Sequence, residues 1–465
     1  MKQDIINRYE SFDKLIHALQ GRFTAGISPP AIALAFYDWA VHLANSPGKR
    51  LELSEDYFTK LAKFMNYSIK SAWNPDCSPC ILPAENDKRF TDEQWRKWPY
   101  NLIHQSFLLT QEWWNTATTS VSGVSAHHEK VVSFVTRQII DVFSPTNFVH
   151  TNPRVSNATI EERGANLLRG WINFLEDFQR NIEGREPVGA ERFVVGENMA
   201  LTEGEVIFRN DLMELIQYKP KTGKVHKQPL LIIPAWIMKY YILDLNPQKS
   251  LVKYLVENGH TVFMISWKNP GPDDRDKGLN DYIQQGAMEA VDIVSKVLPD
   301  RKIHAVGYCL GGTLLTLTAA AMARGGDDRL KTITLLAAQA DFSEAGELML
   351  FIDESQITYL EEQMWFKGFL GNKEMLGAFQ LLRSNDMIWS KVINDYLMGK
   401  QQEMFDLMAW NVDSTRMPYK MHSEYLRKLF LENQFSRGHF EFNGRPIVIS
   451  DIRVPAFLVA TQKDH

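Results

Sequence analysis

The spacing of apolar residues divides the chain into a part with helical period and a part in which short apolar runs alternate with longer amphipathic ones. Up to about residue 190 the three- and four-residue steps of helices dominate. After Thr159, Leu167, Leu168, Trp171, Ile172, Leu175 and Phe178 recur at those steps, which predicts a helix packed through one apolar face, with Thr159 and Glu162 as its capping box. Residues 73 to 100, rich in Pro, Asp and Lys, predict an extended, irregular connector docked by Trp95, Trp98 and Tyr100.

Near residue 192 the period changes, with β-rich runs at Arg192 to Val195, Glu205 to Arg209 and Leu212 to Tyr218. Leu230 to Ile233, Thr261 to Ser266, Ile303 to Val306, Thr332 to Leu336 and Ala456 to Ala460 are apolar, β-branched-rich runs of the kind buried in a parallel sheet. Lys249 to Glu257 and Tyr282 to Val297 are long enough to be crossover helices. The expectation is a helical N-terminal domain over 1–191 and an α/β domain over 192–465. Between about 342 and 440 the alternation stops, and helical sequence carrying Trp365, Met375, Trp389, Met404 and Trp410 predicts a cap inserted over the sheet. No internal repeat or low-complexity tract is evident.

At 465 residues, 45% hydrophobic and 23% charged, the composition is that of a globular protein and fits neither a membrane nor a disordered class. A net charge of -5 argues against a general nucleic-acid binder. The start, Met1 to Arg8, has no apolar segment of signal-peptide type, and no apolar run reaches membrane-spanning length, so a cytoplasmic location is expected. Three cysteines indicate a reducing compartment without a disulfide framework. Cys77-Ser78-Pro79-Cys80, without a second pair or a thioredoxin-type strand and helix, reads as a loop beside Pro75 and Pro83 rather than a redox or zinc site. The 12 tryptophans and 26 phenylalanines predict a large aromatic core.

Gly307-Tyr308-Cys309-Leu310-Gly311 lies between a strand-like run and the helix-like run Leu310 to Met322, and has the form of a nucleophile elbow with cysteine where serine is usual. The sharp turn requires small neighbours, which Gly307, Gly311 and Gly312 supply. A thiol there suggests thioester chemistry, because a thioester exchanges with a thiol at little thermodynamic cost. The oxyanion hole is expected from the amide of Leu310 and an amide of the loop Pro234 to Met238, with Trp236 and Ile237 as candidates and Ile237 chosen. In this fold nucleophile, acid and histidine follow in that order. Asp341 and Asp464 both follow strands, and Asp464 is favoured as the acid because Asp341 heads straight into the cap; the bland alternative for either is a turn cap. His304, His422 and His439 precede Asp464, and His465 points away from it as consecutive side chains do, so the expectation is a fragment ending before its general base.

These residues, with Pro234 to Leu245, Ser266 to Pro270, Asp281-Tyr282, Leu381 to Asp386, Trp410 to Arg416 and Ala460 to His465, resemble the polyhydroxyalkanoate synthases, of the long single-subunit type. The resemblance implies an α/β-hydrolase fold with a cap insertion, preceded by a mainly helical N-terminal domain. It implies Cys309 as nucleophile, Asp464 as triad acid and a later histidine as base. The activity implied is polymerisation of 3-hydroxyacyl-CoA into polyester with release of CoA, and no cofactor is called for because acyl-CoA is the substrate. The implied setting is a cytoplasmic homodimer at the surface of a polymer granule. A cysteine thioesterase or esterase of the same fold, and an inactive truncated binding or dimerisation partner, remain the alternatives.

Overall fold

The computed structural model describes residues 2–21, 24, 26–74 and 76–462. Contacts group the chain into two units, one of Met1–Ser28, Glu186–Ala378 and Met404–His465, the other of Pro29–Arg185 and Phe379–Glu403. The break falls close to the boundary expected near 192, and two segments cross it. The N-terminal residues group with the sheet, and 379–403, which the sequence pattern gives to the cap, group with the helices.

The first unit is built on a seven-stranded sheet of β1 (Gly204–Arg209), β2 (Met213–Tyr218), β3 (Leu230–Ile233), β4 (Val262–Trp267), β5 (Ile303–Tyr308), β6 (Leu330–Leu336) and β7 (Ala456–Val459). Their order is β1-β2-β4-β3-β5-β6-β7. β1 and β4 run antiparallel to β2, and along β4-β3-β5-β6-β7 every neighbouring pair is parallel. Val262, Phe263, Met264 and Ile265 of β4 are all fully buried. Burial on both faces is why this strand reads as a continuous apolar run rather than an alternation. The crossover after β3 ends in the helix Leu251–Glu257, started by the Ser250 hydroxyl, which accepts from the Lys253 amide at 2.8 Å. The next crossover is helical from Leu279 to Val297, with a π turn over Tyr282–Met288. α1 (Lys2–Gly21) packs on the cap helix Glu354–Lys367. The expected strand Arg192 to Val195 is instead the end of a 3-10 turn and one isolated bridge from Val195 to Met199, since among the described residues no strand pairs with it to complete a ladder.

The second unit holds α2 (Pro29–Ala44), α3 (Pro47–Trp73), α4 (Tyr100–Thr118), α5 (Ala126–Val142), α6 (Pro153–Glu161) and α7 (Ala165–Glu183). In the connector before α4, Trp95 is buried with Phe90, Phe107 and Leu108, whereas Trp98 is 77% exposed and docks nothing. Arg89 donates to Asp87 and, at 2.7 Å, to the fully buried Asp141, tying the connector to α5.

α7 departs from expectation at both its start and its packing face. It begins after Gly164, at φ +84, because the Thr159 hydroxyl donates to the Val155 carbonyl inside α6 and Glu162 ends that helix. It packs through its polar side: the Asn166 and Asn173 amides donate to the carbonyls of Leu397 and Asp395 at 2.8 and 2.9 Å, and Gly170 lies on the Tyr396 carbonyl with no room for a Cβ. Close backbone approach selects the small face, so Leu168, Trp171, Ile172, Leu175 and Phe178 face outward and are exposed.

Candidate active site

β5 ends at Tyr308 and the helix Leu310–Arg324 begins at once, leaving Cys309 alone to make the turn, at φ 53 and ψ -126. Residues with a Cβ rarely occupy such a conformation, and strain of this kind concentrates at functional positions. The turn is held by the Cys309 amide donating to the Leu336 carbonyl at 2.9 Å and by the Gly312 amide donating to the Cys309 carbonyl at 2.8 Å. A Cβ on Gly311 would strike the Ile233 carbonyl oxygen and the Pro234 carbonyl, so this glycine lets the helix start touch the end of β3. Cys309 itself is half-buried, packed against the main apolar cluster of the sheet unit.

That contact brings the two expected oxyanion elements together. Leu310 is the first helical residue, so its amide has no partner within the helix. The loop carrying Ile237 starts at Pro234, against which the nucleophile helix begins. The Trp267 indole donates to the Pro234 carbonyl at 2.8 Å, and the Thr415 amide donates to the Ile237 carbonyl at 3.1 Å, which fixes the loop from both sides. Trp236 is 1% exposed, with its ring 5.8 Å from that of Tyr282 and 5.7 Å from that of Tyr425. Tyr425 also meets Phe430 at 5.2 Å and Phe342 at 6.2 Å, so the cap closes over the loop with aromatic rings. Burial, reinforced by the nearby Cys309 sulfur, pushes the Tyr425 hydroxyl well above its ordinary value and keeps it protonated.

The two aspartates fare differently. Asp464 lies outside the described residues, while the strand before it, β7, pairs with β6 so that the Ala337 amide donates to the Val459 carbonyl at 2.8 Å. Asp341 is exposed and caps its turn, accepting from the Ser343 amide at 3.0 Å and the Asn433 side-chain amide at 2.7 Å. The Ser343 amide chiefly, with the Asn433 contact, holds its carboxyl down to about 2. Those hydrogen bonds are what a turn cap requires.

Of the histidines, His304 sits near the start of β5, at the far end of the strand from Cys309, with Nδ1 2.7 Å from the Thr332 hydroxyl. His439 is exposed. His422 is 6% exposed, and burial lowers its pKa to about 4, so it is neutral at physiological pH. His465 lies outside the described residues. Cys77 and Cys80 sit in a loop, where the Cys80 thiol donates to Gln105 Oε1 at 3.1 Å.

Comparison with known proteins bears on the family and the fold. Residues 86–255 match the family described as poly-beta-hydroxybutyrate polymerase (PhaC) N-terminus, 7–49 match poly-beta-hydroxybutyrate polymerase N terminal, and 228–465 match the alpha/beta hydrolase fold. The chain is 44% identical over 391 residues to a poly(3-hydroxyalkanoate) polymerase of Methylorubrum extorquens, covering 83% of this chain and 64% of that protein. It is 34% identical over 387 residues to poly(3-hydroxyalkanoate) polymerase 2 of Ectopseudomonas oleovorans, covering 83% of this chain and 69% of that protein. The chain belongs to the poly(3-hydroxyalkanoate) polymerase family. It spans 64% and 63% of the length of the Methylorubrum extorquens protein and of a Rhizobium meliloti relative 41% identical to it.

Within this family member the sequence reading missed the residues that seat the cap. Asn433 donates to Asp341 and accepts the Phe342 amide at 3.1 Å, pinning the first cap residue to the strand end. It stands at φ 49, a conformation that Asn tolerates better than most residues, which is the one local signal that could have singled it out. Among the described residues, no group of three or more His, Cys, Asp or Glu is placed to hold a metal ion, and no helix is long and apolar enough to cross a membrane.

Proposed function

We propose that this chain carries the polymerising centre of a polyhydroxyalkanoate synthase, in which the Cys309 thiolate attacks the thioester carbonyl of a 3-hydroxyacyl-CoA and expels CoA as its thiolate. The observation that supports this most is a half-buried cysteine in a strained turn under an aromatic cap, where most elbows carry serine. The negative oxygen that forms is met by the amides of Leu310 and Ile237. A hydroxyl of a second hydroxyacyl unit then attacks the acyl-cysteine, forming the ester and returning the thiol. A histidine base, oriented by Asp464, takes the proton from the thiol and later from that hydroxyl, a contribution of about 10²- to 10⁴-fold. Water must be excluded from the acyl-cysteine, and the rings of Trp236, Phe342, Tyr425 and Phe430 supply a dry cover. No cofactor enters, since acyl-CoA is substrate. A homodimer in the cytoplasm, seated at the surface of its polyester granule, is the setting proposed with this chemistry.

Incubation with 3-hydroxybutyryl-CoA tests the reading: CoA release should be matched by insoluble polyester. Soluble 3-hydroxybutyrate as the only acyl product would establish a thioesterase instead. A chain that binds acyl-CoA without forming an acyl-enzyme would establish a non-catalytic partner.

A further inference from the structure

Three polar side-chain atoms in the loop after β3 and in the cap segments that meet it are buried without a hydrogen-bond partner: Trp236 Nε1, Thr415 Oγ1 and His422 Nδ1. Their residues are 1%, 1% and 6% exposed, so solvent does not satisfy them. A folded interior pairs nearly all such groups, and each one left over needs an explanation. The three are linked through the site itself. Trp236 precedes Ile237, the Thr415 amide donates to the Ile237 carbonyl at 3.1 Å, and Trp236 stands edge-on to Tyr425 at 5.7 Å. Tyr425 belongs to the apolar cluster against which Cys309 packs, and His422, three residues earlier in sequence, lies with its ring 6.5 Å from that of Tyr425.

We propose that Trp236 Nε1 and Thr415 Oγ1, with His422 Nδ1 beside them, form a polar acyl subsite that recognises the 3-hydroxyl group and the ester oxygens of the hydroxyacyl unit on Cys309. This rests on the acyl-CoA reading above and goes further by naming what distinguishes a 3-hydroxyacyl group from a plain acyl group. The chemistry fits. The indole N–H only donates, the threonine hydroxyl donates and accepts, and a neutral imidazole nitrogen does one or the other. A 3-hydroxyacyl chain offers a hydroxyl that can do both and a carbonyl that accepts, whereas a plain alkanoyl chain offers nothing beyond its carbonyl. The three groups are uncharged, which suits the acyl end of the substrate and not the phosphates of CoA.

A site built to bond a substrate hydroxyl discriminates strongly against the analogue that lacks it, because its own groups are then left unpaired. The test measures dissociation constants for two inert analogues, 3-hydroxybutyryl-CoA and butyryl-CoA with a methylene in place of the thioester sulfur. The unmodified chain should prefer the hydroxy analogue by about tenfold or more. Trp236→Phe and Thr415→Val should each shrink that preference severalfold, through weaker binding of the hydroxy analogue alone. Thr415→Val should do so without lowering the thermal midpoint, since it removes a hydroxyl that has no partner in the free protein, whereas Trp236→Phe also loses buried ring packing and should lower it. Ser295→Ala, which removes a buried unpartnered hydroxyl on the helix Glu289–Val297, should leave the preference unchanged. Equal binding of both analogues by the unmodified chain, or an unaltered preference in both variants, overturns the subsite and leaves the acyl-CoA reading standing. Binding of neither analogue overturns the acyl-CoA reading and the subsite with it.

Discussion

If the elbow stores strain at Cys309, the fold should tolerate glycine there better than alanine, while either replacement destroys the chemistry. The relevant comparison is Cys309→Gly against Cys309→Ala, because both lose the sulfur and its packing and differ only in a Cβ. At φ 53 and ψ -126 that Cβ sits in a region held essentially by glycine, and strain of this kind costs about 1–3 kcal/mol. Glycine gives back about 0.5–1 kcal/mol through the greater freedom of its unfolded chain. The difference leaves Cys309→Gly the more stable variant by about 1 kcal/mol, roughly a fivefold change in the unfolding equilibrium. Urea unfolding of both proteins, followed by tryptophan fluorescence, reads it directly, and neither should form an acyl-enzyme. Gly326 provides the reciprocal control, since it stands at φ +76 with nothing within 4 Å of an added Cβ, so Gly326→Ala isolates backbone strain from crowding. It should cost about 1 kcal/mol. A glycine variant no more stable than the alanine variant, alongside a destabilised Gly326→Ala, would show that the turn at Cys309 is relaxed.

The other predictions concern the sulfur, the buried histidine and the helical unit. Labelling with an acyl-CoA analogue and peptide mapping should find the modification on Cys309, abolished by Cys309→Ala and unaffected by Cys77→Ala or Cys80→Ala, whose thiols sit in a loop of the other unit. His422 has a folded pKa of about 4, below the ordinary 6.5, so the unfolded chain binds more protons between those values and stability falls as pH drops from 6.5 toward 4. The full loss is about 3 kcal/mol, and His422→Phe should flatten stability against pH across that window. In the helical unit, Arg89→Met removes the 2.7 Å ion pair of the fully buried Asp141, leaving it the Gln111 amide at 2.9 Å and Arg137 at 3.9 Å, and should cost about 3 kcal/mol, read as a lower unfolding midpoint.

How much of this was legible in the sequence depended on whether a feature is encoded locally. The positions of the five parallel strands were, since burial on both faces forces apolar runs such as Val262 to Ile265, although β7 pairs with β6 as expected while its residues Ala456 to Val459 are exposed and not buried as its apolar run predicts. The elbow was legible too, since a sharp turn forces glycines around the nucleophile. The packing of α7 was not. Its apolar row predicted the buried face, yet a face that carries Asn166, Gly170 and Asn173 is the one in contact, because side-chain amides that satisfy neighbouring carbonyls and a glycine that admits a backbone outweigh the row of apolar residues. The grouping of 379–403 with the helical unit was hidden for a related reason: a helical period reports which residues share a face and not which partner that face meets. Asp464 was named from its place after β7 and lies outside the described residues, whereas the turn cap at Asp341 is local, through the Ser343 amide two residues on, and was weighed as its alternative. Only its second contact, with an asparagine 92 positions away, is a pairing that no local spacing reveals.

On the proposed function, the site also accounts for why polymerisation would use a hydrolase elbow with cysteine in place of serine. An acyl-cysteine is a thioester, close in free energy to the acyl-CoA it came from, so the acyl group remains activated for the next hydroxyl instead of being trapped as an oxygen ester. The same activation exposes it to water, and the nucleophile must therefore stand among side chains that exclude solvent while still admitting one hydroxyl. The aromatic rings over Pro234 to Met238 meet the first requirement. An entirely apolar cover would fail the second, because the attacking hydroxyl needs a hydrogen-bond partner to enter, and the unpartnered groups of Trp236, Thr415 and His422 are the polar exceptions in that cover. On this argument Trp236→Phe should slow deacylation by a hydroxyacyl unit more than deacylation by water, raising soluble acid relative to polymer. If the two products fell together, the indole would be acting only as packing.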